Sequence, residues 1–393
     1  MPLARQDAPA QARDTMFEFI YWLLSYVVPF LAVLTVIVFV HEMGHYLVAR
    51  WNGVAIQTFS IGFGRELIGW DDRQGTRWRI SAIPLGGYVR FVGDSNAASL
   101  PDADAVAHAD PELAPRLFAN KNVWQRIAVV AAGPIANVIL TFLILYALLL
   151  GYGRYTIPPV VGEVIAGSVA EAAGIEPGDV IVSVDGYDVR GFEDFQRLVA
   201  TSPARAVTIQ LDRDTSAQTI VLVPEVVEVE DRFGNMQKIG RIGVSRDVAD
   251  TDVSLYRPGP VEAIGMTVEE IRFIIQRTAA FLGDFFVGRG DVEQLGGPVK
   301  VAKVSGEVAT LGIVALINLT ALLSLNIGIF NLLPVPMLDG GHLLYYLFEA
   351  VRGRPLSMKV QEIGFRFGFA LVLVLMVFTL FNDTIFAYFG ILR

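Results

Sequence analysis

The sequence predicts a polytopic α-helical membrane protein with about four transmembrane helices, a membrane-associated β-hairpin region and one extracytoplasmic β-rich domain. Three observations lead to this prediction. Hydrophobic residues make up 53% of the 393 residues and the mean hydropathy is +0.50, which is more apolar than ordinary soluble proteins. Four segments have the roughly 20 mainly apolar residues that a membrane-spanning helix needs. Between the second and third segments, short β-type runs alternate with Gly, Pro and Asp turns.

These patterns divide the chain into consecutive segments. The apolar spans lie at about residues 21–50, 127–153, 311–334 and 363–381. The predicted parts are the N-terminal segment with the first transmembrane helix (1–50), a cytoplasmic or membrane-associated β-hairpin and loop (51–125), the second transmembrane helix (126–154), the β-rich domain (158–257), an amphipathic helical segment (258–310), the third transmembrane helix (311–334), a cytoplasmic loop (335–362), and the fourth transmembrane helix with a tail (363–393).

The basic residues near the spans predict the orientation. They are concentrated in the loop after the first span and in the short loop before the fourth. They are Arg50, Arg65, Arg73, Arg77, Arg79, Arg90, Arg116, Lys121 and Arg126, then Arg352, Arg354 and Lys359. By the positive-inside rule both loops are cytoplasmic, so both termini and the β-rich domain lie outside.

Charge and cysteine content exclude several kinds of site. The net charge of -9 and the sequence pI of about 5.1 argue against nucleic acid as a partner, because its binding needs clustered Lys and Arg. The chain has no cysteine, so it has neither disulfides nor a thiolate metal site. Any metal must be held by His, Asp, Glu or Asn.

The pattern His41-Glu42-Met43-Gly44-His45 ends the first apolar span. If the helix continues through it, both histidines share one face and can bind one Zn²⁺, with Glu42 beside the metal as a base. Such a motif also arises by chance on solvated helices. Three ionisable residues next to a lipid-compatible segment are costly, however, unless they line a functional cavity.

The third span ends in a second polar stretch, residues 331–342 (NLLPVPMLDGGH). Two histidines leave a zinc site short of a third protein ligand, for which Asp339 is the candidate and His342 its competitor. Two prolines break the helix here, where freed backbone groups can line a cavity. The alternative is that Asp339 only caps a helix.

The β-rich domain resembles a PDZ domain. The resemblance rests on residues 167–170 (GSVA), 173–181 (AGIEPGDVI) and 184–186 (VDG). In the permuted bacterial form of the fold, residues 240–245 (GRIGVS) would supply the strand beside a peptide-binding groove. A PDZ domain that binds no ligand remains the alternative.

Over nearly its whole length the chain resembles the RseP-type site-2 proteases, the intramembrane zinc metalloproteases of bacteria. Residues 41–45, 133–137 (GPIAN), the PDZ-like segment and 331–340 occur in that family's order. The resemblance implies Zn²⁺ bound by His41, His45 and Asp339, Glu42 as the base, and Asn331 holding the substrate or its oxyanion. It further implies an inner-membrane protein with a periplasmic PDZ-like domain and an active site toward the cytoplasm. Only one PDZ domain fits, whereas the best-known members carry two.

The implied substrates are transmembrane segments of membrane proteins, such as an anti-sigma factor, a similar single-span regulator or signal-peptide remnants. Residues 58–92 read as β-hairpin structure that in the family re-enters the membrane beside the active site. Its strand edges, residues 77–83 and the set Ser60, Ile61, Gly62, Phe63 and Gly64, are predicted to bind an extended substrate by β-augmentation. The alternative is a plain cytoplasmic hairpin.

Two other interpretations remain for the function of the chain. A zinc-binding transporter would use intramembrane His and Asp but not Glu42, and a non-catalytic PDZ scaffold would not need Glu42 either. Residues 261–288 read as an amphipathic helix that lies on the outer membrane surface, in contact with lipid, or packs on the PDZ-like domain.

Overall fold

The computed structural model of the protein describes residues 22–94, 108, 110–214, 216–230, 236–246, 253–287 and 296–390. The chain forms two compact units, one from Met1–Tyr146 with Met266–Arg393 and the other from Ala147–Gly265. In chain order the elements are α1 (Val28–Trp51), β1 (Ile56–Asp71), β2 (Arg77–Phe91), α2 (Val123–Tyr152), β3 (Arg154–Thr156), β4 (Glu163–Val164), α3 (Val169–Ala172), β5 (Val180–Val184), β6 (Tyr187–Asp188), α4 (Phe192–Ala200), β7 (Val207–Arg213), β8 (Ser216–Leu222), β9 (Glu225–Glu230), β10 (Met236–Arg241), β11 (Val244–Ser245), β12 (Ser254–Tyr256), α5 (Pro260–Phe286), α6 (Pro298–Thr310), α7 (Ile313–Asn331), α8 (Asp339–Arg352) and α9 (Met358–Gly390).

Four of the described helices are long and apolar enough to cross a membrane. They are Leu23–Trp51, Val123–Tyr152, Ile313–Asn331 and Lys359–Phe381. The first begins with a π-helical turn, Leu23–Val27, which runs directly into α1. The number of spans and their approximate positions confirm the prediction of a polytopic membrane protein.

The predicted hairpin is a more complex sheet than a simple pair of strands. Residues 56–61 of β1 pair with residues 87–91 of β2 on one side and with residues 77–80 on the other. The second half of β1, residues 66–71, pairs with residues 77–81. The strands bend at Gly62, Gly64 and Gly86, which have φ of 84°, 85° and 124° and so use the left-handed region that glycine tolerates. Residues 87–91 therefore form one edge of the sheet.

Aromatic packing attaches this sheet to α1. Phe59 is fully buried and contacts Phe39 and Tyr46 of α1, with ring centroids 5.9 and 5.6 Å away. Its other face stacks on Trp78 at 4.4 Å. Loss of a buried phenylalanine side chain costs about 3–5 kcal/mol, so this contact is a major part of the attachment.

Two of the predicted segment descriptions were incomplete. The stretch 335–362 was predicted as a loop but contains α8, which has Arg352 in its last turn and Gly353 as a left-handed C-cap. The stretch 258–310 was predicted as one amphipathic segment but contains two helices, α5 and α6. In α5, Ile264, Val268 and Ile275 are exposed.

The unit Ala147–Gly265 is rich in β structure, as predicted. The largest sheet among its described residues has the strand order β6-β5-β7-β8. The predicted strand at residues 240–245 is interrupted at Gly243, where φ is 85°. Residues up to Arg241 belong to β10, whereas Val244 and Ser245 form β11, paired with β4.

Candidate active site

Three ligand-type atoms from α1 and α8 converge on one point. His41 Nε2 lies 3.0 Å from Asp339 Oδ2, His45 Nε2 lies 3.5 Å from the same oxygen, and the two histidine nitrogens are 3.2 Å apart. Ligands held about 2.0–2.1 Å from a tetrahedral zinc ion are about 3.3 Å from one another. The triangle formed by these three atoms therefore has the dimensions that a bound zinc requires, and we call His41, His45 and Asp339 the metal-binding group.

The helical spacing of α1 places both histidines on the same face, as the sequence predicts. His45 Nδ1 donates a hydrogen bond to the carbonyl oxygen of Val129 in α2, at 2.9 Å. In the neutral ring this fixes the proton on Nδ1 and leaves a lone pair on Nε2, the nitrogen that faces Asp339. The second helix thus selects the tautomer that can bind a metal.

Asp339 reaches the histidines from the first turn of α8. The helix N-cap is Leu338, so the alternative that Asp339 serves as the cap is wrong. A Cβ atom on Gly340 would lie 2.2 Å from the carbonyl oxygen of Leu333, and glycine therefore permits the close turn that delivers the carboxylate. Two residues before Asp339, Met337 has φ of 118°, a backbone conformation that residues other than glycine rarely adopt.

Two contacts between α8 and α2 fix the orientation of α8. Arg126 at the start of α2 forms a largely buried ion pair with Glu349, and its guanidinium lies 4.8 Å from the ring centroid of Tyr346. His342, the competing ligand, is outside the converging group of three atoms but lines the same cavity. Burial lowers the pKa of His342.

Gly133 of α2 lies directly against the two histidine rings of the metal-binding group. A Cβ atom at this position would lie 2.3 Å from His45 Nε2 and 2.8 Å from His41 Nε2. Both distances are too short for a real Cβ atom, so the two ligand rings would have to shift to make room for it. The missing side chain leaves a cradle beside three converging metal ligands, and the donor set of two imidazoles and one carboxylate suits zinc.

A cavity of about 280 Å³ opens beside the three ligands. Glu42 lines it together with Asn331 and with residues 86–89 of the sheet edge. The backbone N–H of Val89 donates a hydrogen bond to the Glu42 carboxylate. Backbone groups two residues apart on a strand point the same way, so those of Gly87 face the same side as those of Val89. No strand in the described part of the chain pairs with this edge.

The structure does not bring the predicted substrate-binding residues 60–64 to this cavity. Ser60 is fully buried, and Ser60 and Ile61 pair with strand partners on both sides. Gly62, Phe63 and Gly64 form the bend beyond them, and the strand edge predicted at residues 77–83 is also paired on both sides over residues 77–80. The unpaired edge predicted for these residues lies instead at residues 86–89, because the two long strands fold back on each other.

Gly133, Gly87 and Asn137 were not predicted as site residues. For Gly133, the available signal was that Gly and Pro stand together inside an apolar span. Both residues disfavour a regular helix and are kept where packing or function needs them. For Gly87 the signal was weaker, since a Gly-Gly pair after a β run also marks an ordinary turn.

The motif at residues 41–45 supplies two metal ligands, and its glutamate lines a cavity beside candidate membrane-spanning helices. These features define the site of an integral membrane metallohydrolase. The chain belongs to peptidase family M50, whose sequence profile matches residues 29–375. It is 48% identical over 363 residues to a protein of Agrobacterium fabrum described as a zinc metalloprotease, covering 92% of this chain and 96% of the relative. It is 49% identical over 361 residues to one of Mesorhizobium japonicum, covering 92% and 98%. Metalloprotease MmpA of Caulobacter vibrioides is 39% identical over 383 residues, with 92% and 95% covered. The protein is a zinc metalloprotease of the site-2 protease type.

Proposed function

We propose that the protein hydrolyses peptide bonds within the transmembrane segments of other membrane proteins, as in regulated intramembrane proteolysis. The observation that carries the proposal is the place of Glu42 and the three ligands, which share one cavity beside a candidate membrane span. At 1.5 Å per residue, His41 lies about 27 Å along the helix from Leu23 and about 15 Å from Trp51. In the predicted orientation the site is therefore within the membrane and nearer its cytoplasmic side.

The roles of the residues follow from their positions in the cavity. His41, His45 and Asp339 would hold the zinc, which when bound lowers the pKa of a coordinated water to about 7. Glu42 accepts the proton of the attacking water and then delivers it to the leaving amine. The Val89 N–H fixes the orientation of the Glu42 carboxylate. Asn331, which lines the same cavity, donates to the substrate carbonyl as it becomes an oxyanion.

The sheet edge at residues 86–89 would hold the substrate in an extended form. A transmembrane helix has every backbone group paired internally, so the scissile bond must leave that pairing to be cut. The free backbone groups of Gly87 offer replacement partners beside Glu42. Exposed apolar side chains cover the far part of the sheet, which supports its contact with lipid; they are Phe63, Leu67, Ile68, Trp70, Ile83 and Leu85.

The β-rich unit would act as a periplasmic PDZ-like domain that binds a peptide segment. Its order of short strands around α4 and the break at Gly243 between β10 and β11 support a peptide-binding edge at Val244 and Ser245. A transporter or an inactive scaffold accounts less well for the chain, since neither needs Glu42 beside the metal ligands or matches the protease family.

Cleavage of a purified single-span substrate in liposomes tests the proposal. Mass spectrometry of the products should place the cut inside the apolar segment. Glu42→Gln keeps the side-chain shape but removes the base, so it should retain one zinc per chain while cleaving about 10²–10⁴-fold more slowly. Cleavage only in loops outside the apolar segment, or unchanged turnover by Glu42→Gln, would contradict the assignment.

A further inference from the structure

Asn137 of α2 lies behind the first histidine of the metal-binding group. It is fully buried, and its side-chain amide nitrogen is 3.2 Å from His41 Nδ1. Within the described part of the chain this is the only hydrogen bond of the amide, and its Oδ1 atom has no partner. A buried polar group with one partner costs free energy, so its single contact calls for an explanation.

The tautomer of His41 supplies that explanation. His41 presents Nε2 to Asp339 and His45, so in the neutral metal-binding ring the proton must be on Nδ1. An N–H on Nδ1 needs an acceptor, which an amide nitrogen cannot be. The oxygen and nitrogen of an Asn amide exchange places by a half-turn of the group and are assigned from their neighbours. The geometry points to Asn137 as the residue that accepts the Nδ1–H of His41 through Oδ1 and so positions this zinc ligand.

The backbone carbonyl of Asn137 has two hydrogen-bond partners of its own. The hydroxyl groups of Thr141 and Ser324 both donate to its backbone carbonyl oxygen, at 2.9 and 3.0 Å. A Cβ atom on Gly328 would lie 3.3 Å from the Asn137 Cβ, so α7 packs closely against this residue. The two ligands are thus oriented by different means, His45 by a backbone carbonyl and His41 by a side chain that mutation can change.

The inference rests on the zinc site of the proposed protease and is independent of its substrate. In Asn137→Leu, a side chain of similar volume fills the space but leaves the His41 Nδ1–H unpaired. Loss of such an outer partner typically weakens metal binding about 10–100-fold. Asn137→Asp keeps an acceptor oxygen and should restore affinity to within about threefold of the original protein, as in carboxylate–histidine–zinc arrangements.

The experiment measures the zinc dissociation constant of the full-length protein in detergent by competition with a chelator. Ser324→Ala is the matched control, because it removes a hydrogen bond to the backbone of Asn137 but leaves the Thr141 hydroxyl on that carbonyl and the Asn137 side chain on His41. We expect weaker binding in Asn137→Leu, rescue in Asn137→Asp and unchanged binding in Ser324→Ala, with similar thermal unfolding midpoints.

Equal zinc affinity in Asn137→Leu and the original protein would overturn the inference, as would equal losses in Asn137→Leu and Ser324→Ala. Failure of Asn137→Asp to bind better than Asn137→Leu would also count against it. Absence of zinc binding by the original protein would instead refute the metal site itself, so the two failures can be told apart.

Discussion

Gly133 shows how far the metal site depends on the size of one side chain. Its α-carbon belongs to α2, yet the space that its missing side chain leaves is the place where the two histidine nitrogens converge. The adjacent Pro134 lies inside the same helix and cannot donate a backbone hydrogen bond. Gly and Pro therefore make this turn of α2 a less stable piece of helix, and its backbone lies close against the ligands.

Replacement of Gly133 by Ala should abolish zinc binding without unfolding the protein. Alanine is favoured over glycine in helices by about 1 kcal/mol, so α2 itself is not weakened. Its Cβ atom, however, would lie 2.3 Å from His45 Nε2 and 2.8 Å from His41 Nε2 and would push both ligand rings out of position. We expect zinc content, measured by elemental analysis, to fall from about one per chain to nearly none, and proteolysis to fall with it.

Gly151→Ala provides the control for this substitution. Gly151 is in the same helix, and a Cβ atom there would meet nothing within 4 Å. Zinc content and activity should remain those of the original protein. A Gly133→Ala protein that kept full zinc would show that α2 can move away from the ligands and that the cradle is not rigid.

At the scale of elements, the attachment of the sheet to α1 positions the edge at residues 86–89. Arg50 near the end of α1 donates to Asp72 in the turn between β1 and β2, at 2.7 Å, and Tyr46 donates to the same oxygen at 2.9 Å. Burial opposes ionisation of Asp72, but hydrogen bonds from the Thr76 and Gln74 backbone outweigh it and hold its pKa well below the usual value. The turn is thus fastened to the helix that carries His41 and Glu42.

Asp72→Asn should destabilise the protein in a pH-dependent way. Because the folded-state pKa is lowered, the stabilising effect is complete above the unfolded-state value of about 3.9 and is lost as the pH falls below it. We expect the unfolding midpoint at pH 7 to fall by about 2–6 °C. The difference between variant and original protein should shrink as the pH is lowered toward 3.

Asp71→Asn is the matched control, since Asp71 is exposed and pairs only with Arg77 in the described structure. Exposed ion pairs contribute little, so its midpoint should change by less than about 1 °C. A constant difference between Asp72→Asn and the original protein from pH 7 to pH 3 would show that the charge of Asp72 is not what stabilises the turn.

At the scale of the whole molecule, the proposed cleavage of transmembrane segments has the backbone pairing of the substrate helix as its main barrier. Unpaired backbone groups in hydrocarbon cost several kcal/mol each, so unwinding requires a weak helix and replacement partners. Replacing Gly or Pro near the scissile bond of a substrate by Leu should slow cleavage at least about tenfold, because such residues weaken a helix by roughly 1–3 kcal/mol. Binding should change much less.

The cleavage rate is measured by single turnover of the original and substituted substrates in liposomes. The binding affinity is measured with the Glu42→Gln protein. Substitution of Leu for an apolar residue far from the cut serves as the control. Equal cleavage rates for the stiffened and original substrates would mean that unwinding does not limit the reaction.

The β-rich unit should restrict which substrates reach the site. Deleting residues 159–257 removes most of the compact unit Ala147–Gly265. If this unit shields the outer entrance, the deletion protein should cleave substrates that still carry a large external domain at least about tenfold faster than the full chain does, while its zinc content stays the same. Unchanged discrimination between trimmed and untrimmed substrates, with zinc retained, would rule out a shielding role.

The sequence by itself determined the four apolar spans, the β-rich unit and the shared face of His41 and His45. These features depend on local periodicity or composition, which short stretches of chain fix independently of the rest. It also led to Asp339, because two histidines cannot complete a zinc site and the third span ends in few other ligands.

Only the tertiary structure decided which residues surround those ligands. His45 meets the Val129 carbonyl and His41 meets Asn137 across 84 and 96 positions of sequence. Such contacts depend on how closely two helices approach, which no local pattern specifies. The same holds for the sheet, where the folding back of two bent strands buried Ser60 and left residues 86–89 at the edge. A strand edge is defined by the absence of a partner, and partners are chosen by packing in three dimensions.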